Sequence, residues 1–158
     1  MAKAEELFWD TGVYDELACP PLPAALVEVL RVQNGGALYP HHFYVGKDRD
    51  RFPFTDEEGC TDIMSLYGIC PQCGINQIIA GETLNRQWQR DWGYPEDSVV
   101  LSHLGHGGIA LHYASDPPVV INVFAEYYPT TLVDTIAPTF EAFLAGLVRD
   151  EEFVRLVS

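Results

Sequence analysis

Basic residues are scarce in this chain: 9 Lys and Arg stand against 23 Asp and Glu, a formal net charge of −14 over 158 residues. A surface of that sign repels phosphate backbones and anionic lipid, so nucleic acid and membranes are not its expected partners. It suits a basic protein, or it serves solubility alone. Long apolar runs are also missing, and none approaches the ~20 residues that a membrane span needs. The opening MAKAEELFWD has neither the basic start nor the apolar core of a secretion signal, which makes the cytoplasm the expected location. G-x-S-x-G, the P-loop, G-x-G-x-x-G and H-E-x-x-H are all absent. Without them catalysis has no ready constellation, and the chain reads as a non-enzyme. Repeats, low-complexity tracts and linkers are lacking too, so one domain is expected over 1–158.

What the chain does have is core material: 47% of its residues are hydrophobic and 12% aromatic, which excludes disorder. AEELFWDT can open as a short helix anchored by Phe8 and Trp9. Pro23 then suits the first turn of a helix in which Leu26, Val29 and Leu30 share a face while Glu28 and Arg31 point away. That helix is expected to stop at Asn34, because Asn34, Gly35 and Gly36 tolerate the left-handed backbone that closes a helix. ALYPHHFYV reads as extended, and GKDRDRFPFTDEEGCT as a loop too charged to be buried.

DIMSLYGI then reads as a strand, and ETLNRQWQRDW as a helix ended by Gly93 and Pro95. SVVLSHL, GIALHYA and PVVINVF are β-branched runs separated by GHGG and SDP, the pattern of an antiparallel meander. In the middle run Ile109, Leu111 and Tyr113 alternate with Ala110 and His112, which predicts one face buried more deeply. Phe140, Phe143, Leu144 and Leu147 follow helical spacing after Pro138, a stripe suited to cover the meander. Helix, mixed strands, helix, meander, helix is an α+β order.

Four cysteines, Cys19, Cys60, Cys70 and Cys73, read as free thiols in a reducing compartment. Cys70-Pro-Gln-Cys73 is half of a zinc knuckle or a redox pair, and Cys60, Cys19, His41 and His42 are its nearest helpers. No second C-x-x-C completes a site, and the βαβ context of a redox motif is missing. Buried or incidental thiols are the main reading, with no cofactor expected and zinc the alternative. His103, His106 and His112 surround one hairpin. With GHGG as its loop, His103 and His112 would lie diagonally on one face, a geometry open to a metal or a general base though no acid pattern supports either.

For a binding surface, Asp56-Glu57-Glu58 and Asp150-Glu151-Glu152 are acid runs that could meet a basic partner, with solvated surface as the default. Glu126, Tyr127 and Tyr128, beyond the last strand, are the better candidates. Exposed tyrosines beside acids resemble binding hot spots, while paired tyrosines also serve as core edges.

Taken in order, FWD at 8–10 with Trp9, QNGG at 33–36 with Asn34, Gly35 and Gly36, and WGYP at 92–95 with Trp92, Gly93 and Tyr94 are followed by a Gly-His turn at Gly105 and His106. The IALHY strand ending at Tyr113, then VVINV and TFEAFLAGLV, complete the series. This order resembles the SUKH superfamily, and more narrowly the group named for a fungal cell-wall-assembly and killer-toxin-resistance regulator. The resemblance covers about 8–148 and leaves 149–158 as a C-terminal helical extension. Where that group commonly has Leu-Asp-Tyr, this chain has Leu111-His112-Tyr113, and CPQCG is outside the shared pattern.

The resemblance implies a twisted, mainly antiparallel sheet flanked by helices and used for protein binding rather than catalysis. Bacterial members look like immunity proteins that bind and silence a toxin, often a nuclease, and a charge of −14 complements a basic toxin domain. Fungal members look like regulatory scaffolds, the alternative role. A zinc- or thiol-dependent activity at Cys70 and Cys73 is a third.

Overall fold

A computed structural model of the protein describes residues 21–33, 35–38, 42–48, 55–56, 59–63, 65–68, 90–127 and 130–148. The first helix among the described residues, α1 (Ala24–Val32), starts from the extended Pro23, whose carbonyl accepts from the Val27 amide at 3.1 Å. Leu26 and Leu30 are fully buried and Val29 partly, while Glu28 and Arg31 face solvent as the amphipathic pattern requires. The helix stops at Val32 rather than at Asn34, because Gln33 is already extended. Gly35 is left-handed at φ +80°, and a Cβ there would lie 2.5 Å from the Gly68 amide nitrogen. The glycine is needed as much for that close approach as for closing the helix.

Short strands follow. β1 (Gly36–Ala37) pairs with β4 (Ser65–Leu66), and β2 (His42–Tyr44) lies between β3 (Cys60–Asp62) and β9 (Leu147–Val148), all antiparallel. The segment DIMSLYGI is therefore not one strand. Asp62 closes β3 in one sheet and Ser65 opens β4 in another, with buried Ile63 at the crossing. The charged loop before β3 is not wholly exposed either: Thr55 and Cys60 are buried, although Asp56 remains at the surface.

The main sheet is a four-stranded antiparallel meander in chain order: β5 (Ser98–Leu104), β6 (Gly107–His112), β7 (Val119–Tyr127) and β8 (Thr130–Ala137). β8 adds a fourth strand to the three that the apolar runs predict. The first turn is Gly105-His106 alone, with Gly105 at φ +60°, a two-residue connection matched to strand twist. Gly107 and Gly108 belong to β6. This places His103 opposite Gly108 and His112 opposite Ser98, at the two ends of the hairpin rather than diagonally adjacent. Ile109, Ala110 and Leu111 are all buried, so β6 is covered on both faces and not on one.

After β8, Thr139 caps α2 (Phe140–Gly146), its hydroxyl accepting from the Ala142 amide at 3.1 Å. Phe140 and Phe143 are fully buried, and the Phe143 ring stacks on Phe43 with centroids 5.1 Å apart. Each such burial contributes about 1.5–3 kcal/mol, enough to hold α2 on β7 and β8. Leu147 does not continue the helix. The chain extends there and pairs with β2, with Leu147 opposite Phe43 and Val148 opposite His42.

Candidate functional site

Three of the sequence motifs converge on one histidine. The Tyr94 hydroxyl lies 2.8 Å from Nδ1 of His103, and the Trp92 ring packs against the imidazole with centroids 4.5 Å apart. From the other side the Tyr67 hydroxyl donates to the His103 carbonyl at 3.3 Å, and the Tyr67 amide donates to the Leu101 carbonyl at 2.7 Å. Tyr67-Gly68 is the backbone that Gly35 approaches. QNGG, WGYP and the strand before the Gly-His turn are thus one packed unit.

Burial dominates the electrostatics of that unit. It pulls the His103 imidazole below its ordinary range, against a smaller opposite effect of a hydrogen bond with the Gly105 backbone. It pushes the Tyr94 phenol far above the phenolic range, with Tyr67 adding to the shift. Tyr67 is raised as well, again by burial, partly offset by its hydrogen bond to the His103 backbone. The Tyr94 hydroxyl and His103 Nδ1 share one hydrogen bond, and the imidazole tautomer sets which of them donates. The arrangement suits a joint that fixes the hairpin tip.

That tip forms one wall of a cleft of about 470 Å³. Its floor is read directly from the sheet register: Ser102, Ile109 and Asn122 stand side by side across β5, β6 and β7, with Leu104, Gly107 and Phe124 as the next row. Thr55, Asp56, Cys60 and Asp62, from β3 and the segment before it, face the tip. Asp56 accepts from the Cys60 amide at 2.8 Å, and the Asp62 carboxylate lies 2.6 Å from Nδ1 of His42. Asn122 is only 6% exposed, yet among the described residues its Oδ1 has no hydrogen-bond partner. The volume lies within the roughly 300–1,000 Å³ of ligand and side-chain clefts.

The structure brings Asp56, Cys60, Gly105 and His106 together at this cleft. Trp92, Gly93 and Tyr94 support it from behind, and the Thr131 hydroxyl donates to the Trp92 carbonyl at 3.3 Å. Gly35 and Gly36 line only a hollow of about 80 Å³ beside α1. Tyr113 ties the end of the hairpin to the start of α1, its hydroxyl donating to the Pro21 carbonyl at 3.0 Å. His112 Nε2 lies 2.9 Å from the Asp97 carboxylate, so an acid adjoins the position where Leu-Asp-Tyr would place one. Glu126 and Tyr127 fall at the end of β7, where Tyr127 pairs with Thr130 of β8. Trp9, Asn34, Glu57, Glu58, Tyr128, Cys19, Cys70, Cys73, His41 and the Asp150-Glu151-Glu152 run lie outside the described residues. Among the described residues no group of three or more His, Cys, Asp or Glu is placed to hold a metal ion, and no helix is long and apolar enough to cross a membrane.

Asn122 and Ser102 were missed by sequence reasoning. Both sit within apolar strand runs, where a polar residue at an inward position was the available signal. The model of the SMI1 / KNR4 family (SUKH-1) matches residues 14–146 of this chain. No curated protein and no solved structure matches it.

Proposed function

Because this chain belongs to the SMI1 / KNR4 family (SUKH-1), matched over residues 14–146, we propose that it is a non-catalytic binding module that holds and neutralises a basic protein toxin. Membership supports an immunity-type or regulator-type role. The charge of −14 favours the first, because a nuclease-type toxin is basic where it holds phosphates and an acidic binder gains rate and complementarity against it. The single observation that carries this reading is a cleft with carboxylates at its wall on a protein of that charge.

Affinity capture of the tagged protein from its host lysate at low salt, followed by a high-salt wash and mass spectrometry, tests it. A basic toxin-like polypeptide released by salt is the expected result. Capture of signalling or envelope proteins, with nothing basic among them, would replace the immunity role with the scaffold role.

A further inference from the structure

The two edges of the main sheet differ. The Leu101 carbonyl of β5 accepts from the Tyr67 amide, whereas β8 pairs with β7 alone among the described residues. Leu132 and Val133 are adjacent on β8 and so point to opposite faces of the sheet, yet each is 44% exposed. Both faces are therefore open at this edge, and Thr135 is exposed as well. Sheet edges are ordinarily blunted by lysine, proline or irregular backbone. Thr130–Ala137 contains no Lys, Arg or Pro, and its register with β7 is regular from Leu132 to Thr135. The edge also continues the cleft: Leu104, Gly107, Phe124 and Leu132 lie side by side across β5 to β8, and the first three line it.

The charge says what such an edge would take. β7, β8 and α2 carry Glu126, Asp134 and Glu141 and no Lys or Arg, in a chain of net charge −14. A second copy would bring another −14 to the same seam, whereas a cationic strand lowers the charge there.

We propose that β8 accepts an extended, basic segment of the protein partner as a fifth strand of the main sheet. Main-chain hydrogen bonds along Leu132–Thr135 supply the affinity, and alternate side chains supply the selection. On the face shared with the cleft, the added strand places an apolar residue beside Leu132 and a Lys or Arg beside Asp134. On the other face a β-branched residue meets Val133. The inference rests on the protein-binding reading above and names the edge through which the partner is held.

The probe is an acetylated, amidated octapeptide that alternates lysine with valine and leucine. Its control is the same peptide N-methylated at the four central residues, which keeps the charge and removes main-chain donors from both edges. The readout is hydrogen exchange of the β8 amides in the intact protein. Alternate amides of Leu132–Thr135 point outward and should exchange fast in the free protein. Uniformly slow exchange would show the edge already paired and overturn the proposal. The peptide should slow those amides about tenfold and saturably, and the methylated peptide should not. No protection, or equal protection by both, would overturn the site. Protection that rises with protein concentration alone would give the edge to a second copy and overturn the basic-strand assignment. Leu132→Lys should weaken peptide binding about tenfold, and Val133→Lys serves if that variant does not fold. Glu28→Gln changes the net charge equally at an exposed site on α1 and should leave binding nearly unchanged; equal weakening by the two would reduce the contact to bulk charge. The partner reading fails separately. A basic toxin captured equally by wild type and Leu132→Lys keeps that reading and discards the edge, whereas peptide protection with no basic protein captured keeps the edge and discards the toxin.

Discussion

Tyr94 and His103 share one hydrogen bond, 2.8 Å from hydroxyl to Nδ1, and through it the WGYP segment grips the end of β5. Tyr94 is 3% exposed, so water does not replace the hydroxyl when it is removed. Tyr94→Phe should cost about 1–3 kcal/mol of unfolding free energy, read from urea denaturation, because the buried imidazole nitrogen loses its hydrogen-bond partner. An unchanged midpoint would show that the ring packing alone holds the tip.

The lowered imidazole gives that joint a pH dependence. His103 binds its proton less readily folded than unfolded, so its contribution is complete above the unfolded value of 6.5 and is lost as pH falls through the folded value. Unfolding free energy should fall as pH drops below about 6.5 with a steeper slope in wild type than in His103→Gln, since only wild type carries this linkage. Parallel slopes would assign the acid sensitivity to carboxylates instead. The raised phenol of Tyr94 works at the other end: its contribution is present below the unfolded value of 10.0 and is lost as pH rises beyond it.

Gly35→Ala tests the joint from the α1 side. The substitution places a Cβ in a left-handed backbone and 2.5 Å from the Gly68 nitrogen, so it should cost at least about 1–2 kcal/mol in thermal or urea unfolding. A cost near zero would mean that the Gly35 segment rearranges without strain.

Phe143→Ala removes a fully buried ring that stacks on Phe43 and contacts Phe140. The expected loss is about 3–5 kcal/mol, a large share of the stability of an ordinary domain. Circular dichroism melts of the variant should show either a strongly lowered midpoint or no cooperative transition.

Asn122→Leu should raise the stability of the fold. Replacing a buried amide whose oxygen has no partner among the described residues by a similarly sized apolar side chain removes a desolvation penalty of about 1–3 kcal/mol, so the melting temperature should rise. A destabilised variant would show that the amide already supports the fold.

Much of this architecture was legible in the chain. Apolar spacing placed α1 through Leu26 and Leu30 and α2 through Phe140 and Phe143, and three β-branched runs located β5, β6 and β7. β8 escaped because TTLVDTIA is an edge strand with exposed Leu132 and Val133 and an acid in its middle, too weakly patterned to stand out. The hairpin was misjudged by two residues at Gly107 and Gly108, since glycine signals a turn and a flat strand alike. The cleft was least visible of all. Thr55 and Ser102 are 47 residues apart in sequence and Ser102 and Asn122 are 20 apart, and they meet only through sheet register and loop return, which no local pattern encodes.

The pairing of β9 with β2 sets an order of events during synthesis. Phe43 and His42 are made early, while their partners Leu147 and Val148 emerge from the ribosome only after nearly all of the domain. Until then β2 holds β3, a wall of the cleft, with one edge bare. The contact is long in sequence and its closure is correspondingly slow. A nascent chain therefore lacks a finished cleft wall until Leu147 and Val148 reach β2, and that wall is completed in a single late step rather than growing with the polypeptide.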